Sequence, residues 1–296
     1  MVPRGKVGPV KPEAVARTEH VLDAAATAWE PVESRGYALG DRWLVRLEDG
    51  RTVFAKRALG EPTAESLRTE HRVYSALAAP FAPRLLGWED GSLPLLLLED
   101  LSGAQWPPPW SAESVNAVLA TLTEVAAARP PPGLRRLADD PPIGWDDVER
   151  HPEPFLRLGL CSAAWLDEVL PTLLESSAPG LLDGDALLHF DVRSDNLCLR
   201  DGRALLVDWN LACVGNAAFD VAFWLPSLVL ERGPAPEEIE LTQPEVAAFA
   251  PLVAGFFAAR AGLPPPAGAP TVRGFQLAQL EVALPWAVRV LGLPES

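Results

Sequence analysis

Proline sets the outer limits of what this chain can fold into. Three clusters, Trp106-Pro107-Pro108-Pro109-Trp110, Pro130-Pro131-Pro132-Gly133 and Asp140-Pro141-Pro142, all lie beyond residue 100. Each proline lacks an amide donor and has a fixed φ, so such runs interrupt helices and central strands alike. Ordered elements must begin and end between them, and the character of the chain changes where they start. Ser111 can cap a helix running to about Arg129, with Val115, Val118, Leu119, Leu122 and Val125 on one face. A second helix is expected from Leu160 to Leu170. Three more are expected over Asp220 to Leu230, Pro244 to Ala261 and Val272 to Leu291, the last kinked at Pro285. Short strands are expected between Ala186 and Asp208.

Before residue 100 the pattern is that of strands. Arg42 to Glu48 alternates, Asp49-Gly50 supplies a tight turn, and Arg51 to Ala58 returns as the second arm of a hairpin. A helix follows over Glu61 to Ala79, with Pro62 in its first turn and Pro80 beyond its end. Pro83 to Trp88 and Leu95 to Glu99 read as two further strands, the second apolar enough to be covered on both faces. The expected organisation is a tail over 1–12, a small α+β unit over 13–100 and a mainly helical unit over 101–296.

Composition narrows the function. With 40 acidic against 25 basic residues the 296-residue chain carries a formal charge of −15, which argues against a binder of phosphate backbones. No apolar run approaches the ~18–20 residues of a membrane span, and Met1 to Pro12 has no apolar core of the secretory kind. Cys161, Cys198 and Cys213 make neither a CxxC pair nor an even disulfide framework, so a reducing cytoplasmic setting is expected. Cys198 and Cys213 read as buried thiols. Among the basic residues only Lys6, Lys11 and Lys56 are lysines, and Lys56 alone lies beyond the tail.

The chemistry concentrates in Leu187-Leu188-His189-Phe190-Asp191-Val192-Arg193-Ser194-Asp195-Asn196, followed by Leu205-Leu206-Val207-Asp208-Trp209. Asp191, Asn196 and Asp208 offer two carboxylates and an amide oxygen on a loop and a nearby strand end. Hard oxygen ligands of this kind suit Mg²⁺ with open positions for phosphate, and a free carboxylate beside it can take a proton from a hydroxyl. The reaction implied is phosphoryl transfer.

The segment resembles the aminoglycoside phosphotransferase and choline kinase group, small-molecule relatives of the protein kinases, and the resemblance runs from about Gly36 to Leu291. It implies a bilobal protein-kinase-like α+β fold, with a small antiparallel-sheet N-lobe carrying one helix and a larger, mainly helical C-lobe. By motif match Asp191 becomes the catalytic base or hydroxyl-orienting group, and Asn196 and Asp208 the metal ligands. Val53-Phe54-Ala55-Lys56 then supplies the strand lysine that holds nucleotide phosphates, with Glu70 as its partner and Glu65 as second choice. Glu99 and Leu101 fall on the hinge that meets adenine through its backbone. Asp220 matches an aspartate that braces the catalytic loop, and His189 reads as a packed scaffold histidine. Arg193 reaches either the transferred phosphate or Asp195. Gly36-Tyr37-Ala38-Leu39-Gly40 is a weak nucleotide-covering loop, and no Walker-type Gly-Lys-Ser/Thr occurs, which excludes a P-loop site.

The acceptor is expected to be a small alcohol. Only twelve positions separate Asp208 from Asp220, with no Ala-Pro-Glu, and Asp208-Trp209-Asn210 stands where protein kinases have Asp-Phe-Gly. Residues 101–296 hold 25 acidic and 12 basic residues, against 15 and 13 in 1–100, a bias that favours an aminoglycoside or another amine-bearing alcohol. Trp106, Trp110 and Trp145 sit in expected loops, either as packing residues or as walls of an acceptor cleft. The reading is thus a phosphotransferase using ATP or GTP with Mg²⁺, with no nucleic-acid or membrane partner. The alternatives are a catalytically silent kinase-like binding protein and a protein kinase.

Overall fold

The computed structural model describes residues 11–32, 41–77, 79–142, 144–240, 244–266 and 269–295, which fall into two units. The first draws on described residues up to 103 apart from 79–82; the second draws on 79–82 and on 104 onward.

The first unit contains α1 (Glu13–Leu22), β1 (Ala26–Pro31), β2 (Asp41–Leu47), β3 (Thr52–Arg57), α2 (Glu61–Ala76), β4 (Leu85–Glu89) and β5 (Leu95–Glu99). The strands form one antiparallel sheet in the order β1-β2-β3-β5-β4. Asp49-Gly50 turns the β2–β3 hairpin: Gly50 takes φ +87, and the Asp49 carboxylate accepts from the Arg51 amide at 3.0 Å. Alternation along the strands places Val45, Leu47, Val53, Ala55, Leu95 and Leu97 in one core with Ala14 and Val15 of α1. Lys56, one residue on from Ala55, therefore emerges on the opposite face, in register with Leu96. Leu95 to Leu98 are buried on both faces. Helix α1 is an addition to the single helix expected in this part of the chain. Its buried side consists of Ala14, Val15 and Thr18, and Val21 and Leu22 pack against the same core.

The second unit contains α3 (Ala112–Ala127), α4 (Trp145–Arg150), α5 (Glu153–Leu156), α6 (Ala163–Ser176), β6 (Ala186–Leu188), β7 (Leu197–Arg200), β8 (Arg203–Leu206), β9 (Cys213–Gly215), α7 (Ala218–Leu230), α8 (Ala250–Ala261) and α9 (Val272–Leu291). Ser111 caps α3, accepting from the Ser114 amide at 3.1 Å. The helix expected over Leu160 to Leu170 begins later and runs further. Ser162 caps it by accepting from Trp165, and it continues through Pro171, because burial of Leu166, Val169 and Leu173 along one side outweighs one missing donor. The stretch from Pro244 divides into a 3-10 turn over Pro244–Phe249 and then α8.

Trp145 is neither in a loop nor on a cleft wall. It opens α4 at 2% exposure, sits edge-on to Phe155, and donates its indole N–H to the Pro251 carbonyl at 2.8 Å. Cys198 and Cys213 are fully buried. Strand β6 pairs with β9 and β7 with β8, both antiparallel. Helix α7 is buried on every side from Ala218 to Leu228, as a central helix must be.

Candidate active site

In the first unit, β3 and α2 bring Lys56 and Glu70 together. The ammonium donates to the carboxylate at 2.5 Å, with Lys56 8% and Glu70 1% exposed. Glu65 is exposed on another side of the same helix. Glu99 ends β5, its amide bonded to the Arg84 carbonyl, and buried Leu101 follows in the connection that leaves the sheet. The Gly36 to Gly40 segment lies outside the described residues.

In the second unit, the loop from His189 to Asn196 leaves β6 and enters β7. Phe190 has φ +67, a left-handed conformation that a bulky residue adopts only when its surroundings impose it. Here the cause is visible. The two oxygens of Asp220, in the first turn of α7, accept from the amides of His189 at 2.6 Å and Phe190 at 2.8 Å. The Phe190 ring stacks on Phe219 and Phe223 of the same helix. His189 is fully buried, and both its ring nitrogens are committed to backbone: Nε2 donates to the Val207 carbonyl at 2.8 Å and Nδ1 accepts from the Asp191 amide. Those partners fix one neutral tautomer, and burial holds its pKa below the usual value.

That loop presents Asp191. The Asn196 amide nitrogen donates both to the Asp191 carbonyl at 2.9 Å and to its carboxylate at 2.8 Å. The Arg193 guanidinium lies 3.3 Å from the other Asp191 oxygen and donates to Asp195 at 2.8 Å. Burial pushes the Asp191 carboxyl above the usual carboxylate range, Arg193 opposes the shift, and the neighbouring Asp208 charge adds to it. Asp195 is raised for the same first reason. Asp220 is raised by burial as well, against the pull of His189 and the two amides.

Asp208 follows β8 in a left-handed conformation, φ 64, which a short polar side chain tolerates. Pairing of β7 with β8 sets it beside Asn196, whose carbonyl accepts from the Val207 amide at 2.9 Å. Since both hydrogens of the Asn196 amide are spent on Asp191, the side chain's remaining polar atom is its carbonyl oxygen. An oxygen from Asn196 and a carboxylate from Asp208 form a hard donor pair, and among the described residues no group of three or more His, Cys, Asp or Glu is arranged to hold a metal ion. Such a sparse all-oxygen set fits Mg²⁺ shared with substrate phosphates, and fits a dedicated zinc or calcium cage poorly.

Thus the structure gathers His189, Asp191, Arg193, Asn196, Asp208 and Asp220 in one unit and joins Lys56 to Glu70 in the other. Sequence reasoning passed over Ser194 and Glu231, and weighed Trp110 only as a packing residue or a cleft wall; the three are linked by hydrogen bonds beside this loop. Their only signal was that Glu231 falls eleven residues after Asp220, on the same side of a helix. No helix among the described residues is long and apolar enough to cross a membrane.

Comparison with known proteins bears on this arrangement. Over 166 residues the chain is 31% identical to a thiamine kinase of Salmonella paratyphi B, a match taking in 54% of this chain and 53% of the relative. The chain therefore spans about half the length of the curated relatives it matches. A spectinomycin phosphotransferase solved with ADP and spectinomycin superposes with a TM-score of 0.61 at 10% identity, over 94% of this chain and 98% of that one. A choline/ethanolamine kinase family protein from Mesorhizobium loti gives a TM-score of 0.61 at 15% identity, over 95% and 97%. At those identities the likeness is one of fold, and the fold is the protein-kinase-like α+β architecture. The phosphotransferase enzyme family's own sequence profile matches residues 33–270, and the chain belongs to that family.

Proposed function

We propose that this protein transfers the γ-phosphoryl group of a nucleoside triphosphate, ATP or GTP, to the hydroxyl of a small amine-bearing molecule. The observation that carries the reading is the Asp191 carboxylate, held between the Asn196 amide and the Arg193 guanidinium on a loop locked by Asp220. A carboxylate whose pKa is raised by burial is, in its ionised form, a better proton acceptor than an exposed one.

In this reading Asp191 orients the acceptor hydroxyl and takes its proton as that oxygen bonds to the γ-phosphorus. The bond from phosphorus to the bridging oxygen breaks, and the nucleoside diphosphate leaves with the electron pair. Arg193, already paired with Asp195, offers a cation to the moving phosphoryl group. Asn196 and Asp208 would hold Mg²⁺, which when bound neutralises phosphate charge. Lys56, fixed by Glu70, would place a compact cation on the nucleotide phosphates. His189 and Asp220 support the loop, and the backbone at Glu99 and Leu101 is the proposed adenine contact.

The acidic excess of residues 101–296 favours a cationic acceptor, and thiamine, a cationic alcohol named by the relative, belongs first in an acceptor panel with choline-like and aminoglycoside alcohols. The test is coupled nucleotide turnover across that panel. Asp191→Asn is expected to lower kcat by ~10²–10⁴-fold while Mg-nucleotide binding persists. Unchanged turnover in that variant would remove Asp191 from the role.

A further inference from the structure

The two ends of α7 hold the two ends of the catalytic loop. At the N-terminal end Asp220 binds the His189 and Phe190 amides. At the other end Glu231, the residue that closes the helix, accepts the hydroxyl proton of Ser194 on one carboxylate oxygen. Its second oxygen accepts the indole N–H of Trp110 at 2.9 Å. Trp110 ends the proline cluster that leads into α3, and its ring meets Trp224 of α7 edge-on, with centroids 5.5 Å apart. Asp220, Trp224 and Glu231 stand at helical offsets of four and eleven residues, within about 40° of one another around the helix and spread over roughly 16 Å of its length. One stripe of one helix therefore meets the start of the catalytic loop, its end and the proline segment.

Glu231 stands where local electrostatics disfavour it. A helix's C-terminal end carries partial negative charge, and the last turn of α7 contains no basic residue to offset a carboxylate. A residue that breaks a local rule is expected to meet a requirement elsewhere. Here the requirement is visible: two donors, drawn from segments 84 positions apart, converge on one carboxylate.

We infer that Glu231 is a positioning residue for phosphoryl transfer, setting the loop that carries Asp191 and Arg193 and coupling it to the proline segment at Trp110. The inference rests on the phosphotransfer reading above. Ser194 lies between Arg193 and Asp195, the pair whose ion contact fixes the guanidinium beside Asp191. Releasing the Ser194 hydroxyl frees the backbone at that point. The Trp110 bond makes the loop sensitive to displacement of the proline segment.

The experiment compares the unsubstituted protein with E231Q, whose amide keeps one acceptor oxygen for two donors. Amide hydrogen exchange is followed over 105–112 and 189–197, with kcat, acceptor KM and Mg-nucleotide affinity measured alongside. Faster exchange in both segments is expected, with kcat down roughly 10- to 100-fold, the range of one charge-assisted hydrogen bond, and nucleotide affinity unchanged. Ser194→Ala and Trp110→Phe should each cost less, and their losses should not add to that of E231Q. Unaltered exchange overturns the inference, as does faster exchange with kcat and KM intact, which would make Glu231 structural only. Should E231Q fail to fold, the other two variants decide: fully additive losses between them sink the coupling. Absence of turnover by the unsubstituted protein on every acceptor removes the phosphotransfer reading itself, and the positioning role with it.

Discussion

Burying an ammonium against a carboxylate strips both ions of water, and the attraction gained seldom exceeds that loss by much. The Lys56–Glu70 pair is therefore weak as a stabilising device and strong as a sign that a fixed cation is needed at the end of β3. Removing one partner leaves the other charge stranded. Lys56→Met should destabilise the protein by about 3–5 kcal/mol in denaturant unfolding, whereas Lys56→Met with Glu70→Leu should recover most of the loss. Both variants should lose nucleotide use. Lys56 was legible because it breaks the chain's preference for arginine, and Asp191, Asn196 and Asp208 because their spacing is specific. The left-handed Phe190 was not legible: phenylalanine gives no local hint of positive φ, and the conformation is imposed by two hydrogen bonds from a residue thirty positions on.

At the level of elements, packing decides what propensity leaves open. Helix α9 occupies the expected span, Val272 to Leu291, while α6 runs through Pro171 because its buried side extends beyond that proline. Helix α1 was legible and was passed over: Ala14, Val15, Thr18, Val21 and Leu22 recur at helical spacing along one side. Helix α8 ends against α5 at Gly262, where a Cβ would lie 1.9 Å from the Pro154 carbonyl oxygen. Its φ of −85 is open to any residue, so the constraint is space alone. Gly262→Ala should force the two backbones apart and cost about 1–3 kcal/mol, read as a lowered denaturation midpoint with an unchanged slope. No single sequence shows this contact, because the clash is with a residue more than a hundred positions away.

For the whole molecule, charge and amine chemistry are the informative quantities. A formal charge of −15, drawn mostly from residues 101–296, attracts cations over a distance that salt shortens to about 8–10 Å at physiological ionic strength. If the acceptor is cationic, its kcat/KM should fall as salt is raised from 20 to 300 mM, by about tenfold or more, while a neutral alcohol in the same panel changes little. The acidic excess was visible in composition, but which carboxylates meet the acceptor was not, because those surfaces come from helices and loops brought together by folding. The scarcity of lysine has a practical corollary. Reagents that acylate primary amines find, beyond the chain's α-amino group, three side chains: Lys6, Lys11 and Lys56. Lys11 lies near the N-terminus in a partly exposed pair with Glu19, so acylation there should leave turnover intact. Acylation at Lys56, slowed already by its burial and its pairing with Glu70, should end it, and Mg-nucleotide should slow that event further while leaving Lys11 unaffected, so peptide mass mapping of one residue tests the proposed nucleotide site.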